Sequence, residues 1–176
     1  KILANKDALF NADGSVNLTS TSNVLGQSVP YAGNYGISRN PESFATHGNR
    51  LYFADKQRGS ILRLANDGLT VISDRGMLNH FRKKLKDESG FLIGTYDIHS
   101  DQYILSFSDN SYSFKENVGG WVSRLAFIPE AGVSLNSNYY TLKNGEIYIH
   151  HDDTRLPGSF YYENSDNVSK YNSSVT

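Results

Sequence analysis

Residues 41–74 read PESFATHGNRLYFADKQRGSILRLANDGLTVISD. Four short runs rich in apolar, β-branched and aromatic residues stand out: Phe44 to His47, Leu51 to Asp55, Ile61 to Ala65 and Leu69 to Ser73. Gly48-Asn49, the Lys56-to-Gly59 corner and Asn66-Asp67-Gly68 separate them, and each carries the residues that let a chain reverse. Strand-forming runs joined by such turns predict one up-and-down antiparallel sheet of four strands, the size of a propeller blade.

Apolar cores like Leu51-Tyr52-Phe53 recur at Leu9-Phe10, Tyr103-Ile104-Leu105 and Ile147-Tyr148-Ile149. The steps from residue 9 to 51, 51 to 103 and 103 to 147 are 42, 52 and 44 residues, against about 40 to 50 for one blade. The longest step contains an extra helix. The expectation is an all-β, propeller-like array of about four antiparallel blades, near residues 5–30, 41–74, 91–127 and 134–162, with one short inserted helix at about residues 75–86. Residues 1–162 make that domain and 163–176 a polar tail. The alternative, an ordinary antiparallel meander with turns at similar intervals, fits the same pattern.

Composition agrees with strands. Twelve Tyr and nine Phe against one Met put aromatics in the core, and fifteen glycines supply turns. A net charge of −1 gives no electrostatic reason to expect nucleic acid or an anionic membrane as partner. With no cysteine there is neither a disulfide framework nor a thiolate metal site. The chain opens at Lys1 without an initiator Met or a signal-peptide pattern, and no apolar run approaches the roughly 18 residues that span a bilayer. The expectation is a piece of a longer polypeptide.

Ala8-Leu9-Phe10, Asn11-Ala12-Asp13-Gly14 and Val16 to Thr19 read as a hairpin turning at Asp-Gly. Ser20 to Asn40 is a long Ser, Asn and Gly-rich connection: either a contact arm, or a loop laid on the blade edge through Val29, Tyr31 and Tyr35. From Asp74 to Asp87 the period changes. Met77, Leu78, Phe81 and Leu85 share one helical face, Asn79, Arg82, Lys83 and Lys86 the other, and Asp74 is the expected N-cap. The basic run there suits the helix C-terminus and a solvated face.

Phe91 to Asp97, Tyr103 to Phe107, Tyr112 to Glu116 and Trp121 to Phe127 predict a second blade, with Tyr103, Leu105 and Phe107 on one face and Ile104 on the other. Trp121 is expected to pack between blades; stacking on a ligand is the alternative. Ile128 to Gly132 reads as a connection. Asn138 to Leu142 and Glu146 to His150 form a hairpin about Asn144-Gly145, and Phe160-Tyr161-Tyr162 is the last strand candidate.

Few residues suggest chemistry. His150, His151, Asp152 and Asp153 form the densest group of ligand-type side chains, but strand alternation would send the two histidines to opposite faces. Asp97, His99 and Asp101 could ring a cation, although their spacing does not match a calcium loop. No nucleophile elbow, phosphate-binding glycine loop or announced carboxylate pair is present, so the expectation is no catalytic residue, no metal and no cofactor.

Several stretches resemble, in order, the large virion structural proteins of tailed bacteriophages. They are Gly36-Ile37-Ser38-Arg39-Asn40-Pro41-Glu42-Ser43-Phe44, Tyr52-Phe53-Ala54-Asp55-Lys56-Gln57-Arg58-Gly59, Leu62-Arg63-Leu64 with Asp67-Gly68, and Ile72-Ser73 with Gly76-Met77. The likeness continues through Tyr96-Asp97 with Gln102-Tyr103, Phe114-Lys115-Glu116 with Gly120-Trp121, Phe127-Ile128-Pro129-Glu130, Ser134-Leu135-Asn136 and Tyr139-Tyr140-Thr141 with Asn144-Gly145. It covers about residues 30–151. Gln102 and Leu142 depart from it, standing where an acid and an aromatic are expected.

The resemblance implies a tail or neck component of a phage virion, not an enzyme, that works through contacts with other virion subunits in an oligomeric ring or multi-copy assembly. Candidate contact residues are Tyr31, Tyr35, Arg39, Arg58 and Trp121. Two rivals stand beside it: a receptor- or glycan-binding β module, which needs exposed aromatics beside Asn and Asp, and a metal-dependent propeller hydrolase, which needs acids and histidines converging on a channel.

Overall fold

The computed structural model describes residues 9–10, 16–17 and 31–151. The chain divides into two compact units, Lys1–Gly33 and Asn34–Thr176. In the first, β1 (Leu9–Phe10) pairs antiparallel with β2 (Val16–Asn17), Leu9 opposite Asn17 and Phe10 opposite Val16. That is the expected hairpin; its turn, and most of the blade expected near residues 5–30, fall outside the described residues.

Among its described residues the second unit holds three antiparallel sheets and one α-helix. The first sheet is built as residues 41–74 predict: β3 (Ala45–His47), β4 (Arg50–Asp55), β5 (Ser60–Ala65) and β6 (Gly68–Val71), in that order. The last strand is shorter than expected. Ile72–Asp74 winds into a 3-10 turn, because the Ser73 hydroxyl accepts a hydrogen bond from Ile61 N at 3.2 Å and pulls the chain inward. Register puts Ala45, Tyr52 and Arg63 on one face, with Ala54 and Ile61 further along it.

Helix α1 runs Leu78–Asp87 and buries Phe81 and Leu85, while Asn79, Arg82, Lys83 and Lys86 are exposed, as the period requires. It starts later than the expected residue 75. Asp74 is spent in the 3-10 turn, and the N-cap is Met77, with no side-chain cap. The hydrophobic anchor of Phe81, stacked among Phe107, Tyr112 and Trp121, sets the start instead.

The second sheet, β7 (Ile93–Asp97), β8 (Gln102–Ser106), β9 (Ser111–Lys115) and β10 (Gly120–Leu125), is again a simple meander. Every residue of β8 is buried, since both of its faces are covered. Tyr103, Leu105 and Phe107 join Tyr52, Ile61, Phe81 and Leu85 in the larger core, and Ile104 joins Leu125, Phe127 and Tyr139 in a smaller one.

The third sheet orders β11 (Ala131–Leu135), β12 (Asn138–Lys143) and β13 (Glu146–Ile149). Here the sequence expectation is corrected. Ala131-Gly132, read as connection, opens a strand, and the sheet begins three residues before 134. Gly132 permits it, because a Cβ there would lie 2.8 Å from Thr95 Cγ2 on β7. The Asn144-Gly145 turn forms as expected, both residues at positive φ.

The opening strands of the three sheets are neighbours: β3 lies beside β7, and β7 beside β11. Among the described residues the sheets do not close into a ring. Residues 152–176, with the Phe160-Tyr161-Tyr162 strand candidate and the tail, lie outside the described residues. Among those described, no helix is long and apolar enough to cross a membrane.

Candidate functional site

Pairing in the third sheet sorts its side chains into two unlike faces. Gly132, Ser134, Tyr139, Thr141 and Tyr148 turn toward the second sheet, where the Tyr139 hydroxyl meets Thr95 Oγ1 at 2.7 Å and the Ser134 hydroxyl donates to Tyr96 O at 2.7 Å. The other face carries Ala131, Leu142 and Ile147 in one row and Val133, Tyr140 and Ile149 in the next, with Leu135 beyond. Most of them are apolar and open: Val133 is 54% exposed, Leu135 61% and Ile147 70%, with Leu142 also exposed, while Tyr140 and Ile149 are half-buried. An antiparallel sheet that meets water normally does so with polar residues. Large exposed apolar patches are found at protein, membrane and ligand contacts.

A second cluster forms at the turn between β7 and β8. Asp97 is buried and its Oδ1 accepts the backbone N–H groups of His99, at 3.0 Å, and Ser100, at 3.3 Å. Its Oδ2 accepts from His151 Nε2 at 2.8 Å and from Gln102 Nε2 at 3.3 Å. Burial raises the Asp97 pKa, but His151 and the turn donors outweigh it and hold the carboxyl below its ordinary value. The rings of His99 and His151 stack 4.3 Å apart.

This geometry defines what the cluster can do. Ser100 Oγ lies 3.4 Å from the same Nε2 that donates to Asp97, so that nitrogen is not available as a base toward the hydroxyl. Asp101 points elsewhere, accepting from the Tyr96 hydroxyl at 2.5 Å, and Asp97, His99 and Asp101 do not ring a common point. Among the described residues no three His, Asp or Glu side chains converge as metal ligands.

The neighbouring histidines separate for a reason other than alternation. Strand β13 ends at Ile149, so the expectation built on a continuing strand is corrected. His150 turns inward, its Nε2 2.7 Å from Thr141 Oγ1 and its ring against Phe127 and Tyr139. His151 adopts φ +59° and swings to Asp97. Burial, with the charge of His151 adding to it, lowers the His150 pKa to about 4. Asp152 and Asp153 are outside the described residues.

The five candidate contact residues are divided between the two units. Tyr31 belongs to the first unit and is exposed; Tyr35, also exposed, belongs to the second. Arg39 is exposed on the turn before the first sheet, and Arg58 donates to Asp55 Oδ2 at 3.0 Å on the β4–β5 corner. Trp121 packs against Phe81, 4.4 Å between ring centroids, and donates its Nε1–H to Ile72 O at 2.9 Å. Its packing is thus against α1 and the 3-10 turn after β6, not directly against another sheet.

Sequence reasoning missed the apolar face of the third sheet. The signal was present in Ala131, Val133 and Leu135 alternating with Gly132 and Ser134, but Pro129 and Gly132 masked it as a connection. No protein-family model matches the chain, and no curated protein matches it.

Proposed function

We propose that the chain is an assembly module: a propeller-like arc of antiparallel sheets in a longer phage structural polypeptide, acting in the tail or neck of the particle through contacts with neighbouring subunits. The observation that carries the reading is the open apolar face of the third sheet, Val133, Leu135, Leu142 and Ile147. Within the chain, each sheet covers one face of the next with aromatic and aliphatic side chains. The third sheet repeats the arrangement on one side only, and the matching partner is another β-sheet face, supplied by a neighbouring subunit. A specific contact of that kind buries roughly 1,200 to 2,000 Å² in total.

The resemblance of residues 30–151 to phage virion proteins supports the location, and the side-by-side opening strands support the propeller-like arc. The reading assigns the chain no catalytic step. Its test is cryo-electron microscopy of intact particles with this chain traced into density. Density in a tail or neck ring, with the third sheet against a neighbour, is the expected result. A chain absent from purified particles, and monomeric on its own, refutes it.

A further inference from the structure

A cleft of about 780 Å³ lies between the Ser38–Asn40 turn, the Lys56-Gln57 corner after β4, Lys86 at the end of α1 and the Ser89–Phe91 link into β7. Among the described residues three cations line it, Arg39, Lys56 and Lys86, and no carboxylate does. Among the described residues none of the three has an acid within ion-pair distance, as is also true of Arg50, Arg75, Arg82, Lys83, Lys115 and Arg124; what sets the three apart is that they meet in one cleft. The helix dipole accounts for Lys86 in the last turn of α1, but not for Arg39 or Lys56.

Both walls are pinned by buried carboxylates. Asp55 Oδ2 accepts from Gly36 N at 2.9 Å, and its Oδ1 accepts from the Ser38 hydroxyl at 2.6 Å and from Arg58 N at 3.2 Å. Ser38 Oγ in turn accepts from Gln57 N at 3.3 Å. The turn bearing Arg39 and the corner bearing Lys56 are thereby fixed to one another, and Ser38 is held at φ +57°, in the left-handed region. On the opposite wall Glu88 Oε1 accepts from Gly90 N at 2.7 Å, and its Oε2 accepts from Ser108 N at 3.0 Å and from the Ser108 hydroxyl at 2.9 Å. That anchors the link carrying Phe91, a cleft-lining residue that is 73% exposed. The cations are therefore presented on a set framework, and an apolar ring stands beside them.

We propose that this cleft binds an acidic oligosaccharide. The anionic substituents would sit among Arg39, Lys56 and Lys86, a sugar ring would lie on Phe91, and Gln57 and Ser89 would meet hydroxyl groups. The volume is in the range of small-ligand sites, about 300 to 1,000 Å³. Single-stranded nucleic acid shares the charge, but such sites stack successive bases on several aromatic rings, and among the described residues one, Phe91, lines this cleft. This inference rests on residues remote from the third sheet in sequence and stands independently of the assembly reading.

Isothermal titration of the full chain with a tetra-galacturonate, with its methyl-esterified neutral counterpart and with dT8 tests it. The acidic sugar is expected to bind at least about tenfold more tightly than the neutral one, and to weaken as salt brings the Debye length to about 8 Å. Arg39→Gln with Lys86→Gln should lose at least about tenfold, a gap of about 1.4 kcal/mol, and Phe91→Ala should weaken binding without changing the salt slope. No binding of the acidic sugar, or equal binding by the double variant, overturns the proposal. Binding of dT8 as tight as that of the uronate overturns the sugar assignment. The salt titration uses the unaltered chain and decides the ionic component even where a variant misfolds.

Discussion

The ring of Tyr52, on the first sheet, lies nearly parallel to that of Tyr103 on the second, with centroids 4.8 Å apart and a 12° angle between planes. Each phenol is also hydrogen-bonded: Tyr52 donates to Glu116 Oε1 at 2.7 Å, and Tyr103 to Ser43 O at 2.9 Å. Burial first, and then Glu116, keeps the Tyr52 phenol protonated well above the ordinary tyrosine range. One stacked pair thus joins two sheets and places two polar groups without leaving them unsatisfied.

Truncating that junction should be costly. Tyr52→Ala is expected to lose about 3 to 5 kcal/mol, the range for removing a fully buried aromatic. Tyr52→Phe keeps the stack and removes the bond to Glu116, which retains Arg63 at 3.5 Å; it should cost about 1.5 kcal/mol. Urea unfolding midpoints for the two variants check the order, and equal losses would show that the stack contributes little.

Gly94 makes a second, steeper prediction. A Cβ at this position would fall 1.9 Å from Ser43 O and 2.4 Å from its carbonyl carbon, both backbone atoms of the segment leading into β3. Gly94→Ala must push β7 away from that segment and should cost about 3 kcal/mol or more. Gly120→Ala is the control, with nothing within 4 Å of the added carbon, and should stay within about 0.5 kcal/mol. Thermal melts of the two variants side by side read the difference.

Acid should weaken the fold in two steps. The folded His150 pKa, about 4, lies below its ordinary 6.5, so between these values the unfolded chain takes up a proton that the folded one refuses. Its contribution is complete above pH 6.5 and is lost as pH falls toward 4, amounting to about 3 kcal/mol at most. Asp97, Asp55 and Glu88 are held below their ordinary values, so their contributions persist to lower pH and vanish as pH falls through the folded pKa values. His150→Gln should flatten the urea midpoint between pH 6.5 and 4 while leaving the steeper loss below it. An unchanged slope in that window would show that His150 does not titrate as its burial requires.

Much of the fold was legible because two signals coincided. In residues 41–74 and 91–127 the apolar alternation and the turn residues mark the same boundaries, and the strands fall within a few positions of them. The start of α1 was not legible, since it is set by where Phe81 meets Phe107, Tyr112 and Trp121, and Asp74 looks like a cap only while those contacts are unknown. Strand β11 was hidden for a similar reason: Gly132 reads as a breaker until Thr95 is seen pressing against it. The His151–Asp97 bond joins residues 54 positions apart, which no local pattern encodes. The cleft cations were half visible, Arg39 being singled out from its motif, but the role of Asp55 in holding Arg39 beside Lys56 depends on the tertiary fold.

The apolar face of the third sheet yields the prediction that bears most directly on assembly. Leu135 and Ile147 are largely exposed, so Leu135→Asp and Ile147→Asp should each change the stability of the isolated chain by no more than about 0.5 kcal/mol. In the assembly proposed above, the same positions would become interior. Each loses the burial of an aliphatic side chain, about 1.5 to 3 kcal/mol, and adds a carboxylate that has no partner there. The double variant should therefore melt like the parent yet fail to self-associate in sedimentation and fail to enter particles. Lys143→Gln, on the opposite face beside Glu130 at 3.6 Å, is the matched control and should assemble normally. If the double variant enters particles as well as the parent does, this face is not the contact, because two buried, unpaired carboxylates in one interface would cost more than such an interface can absorb.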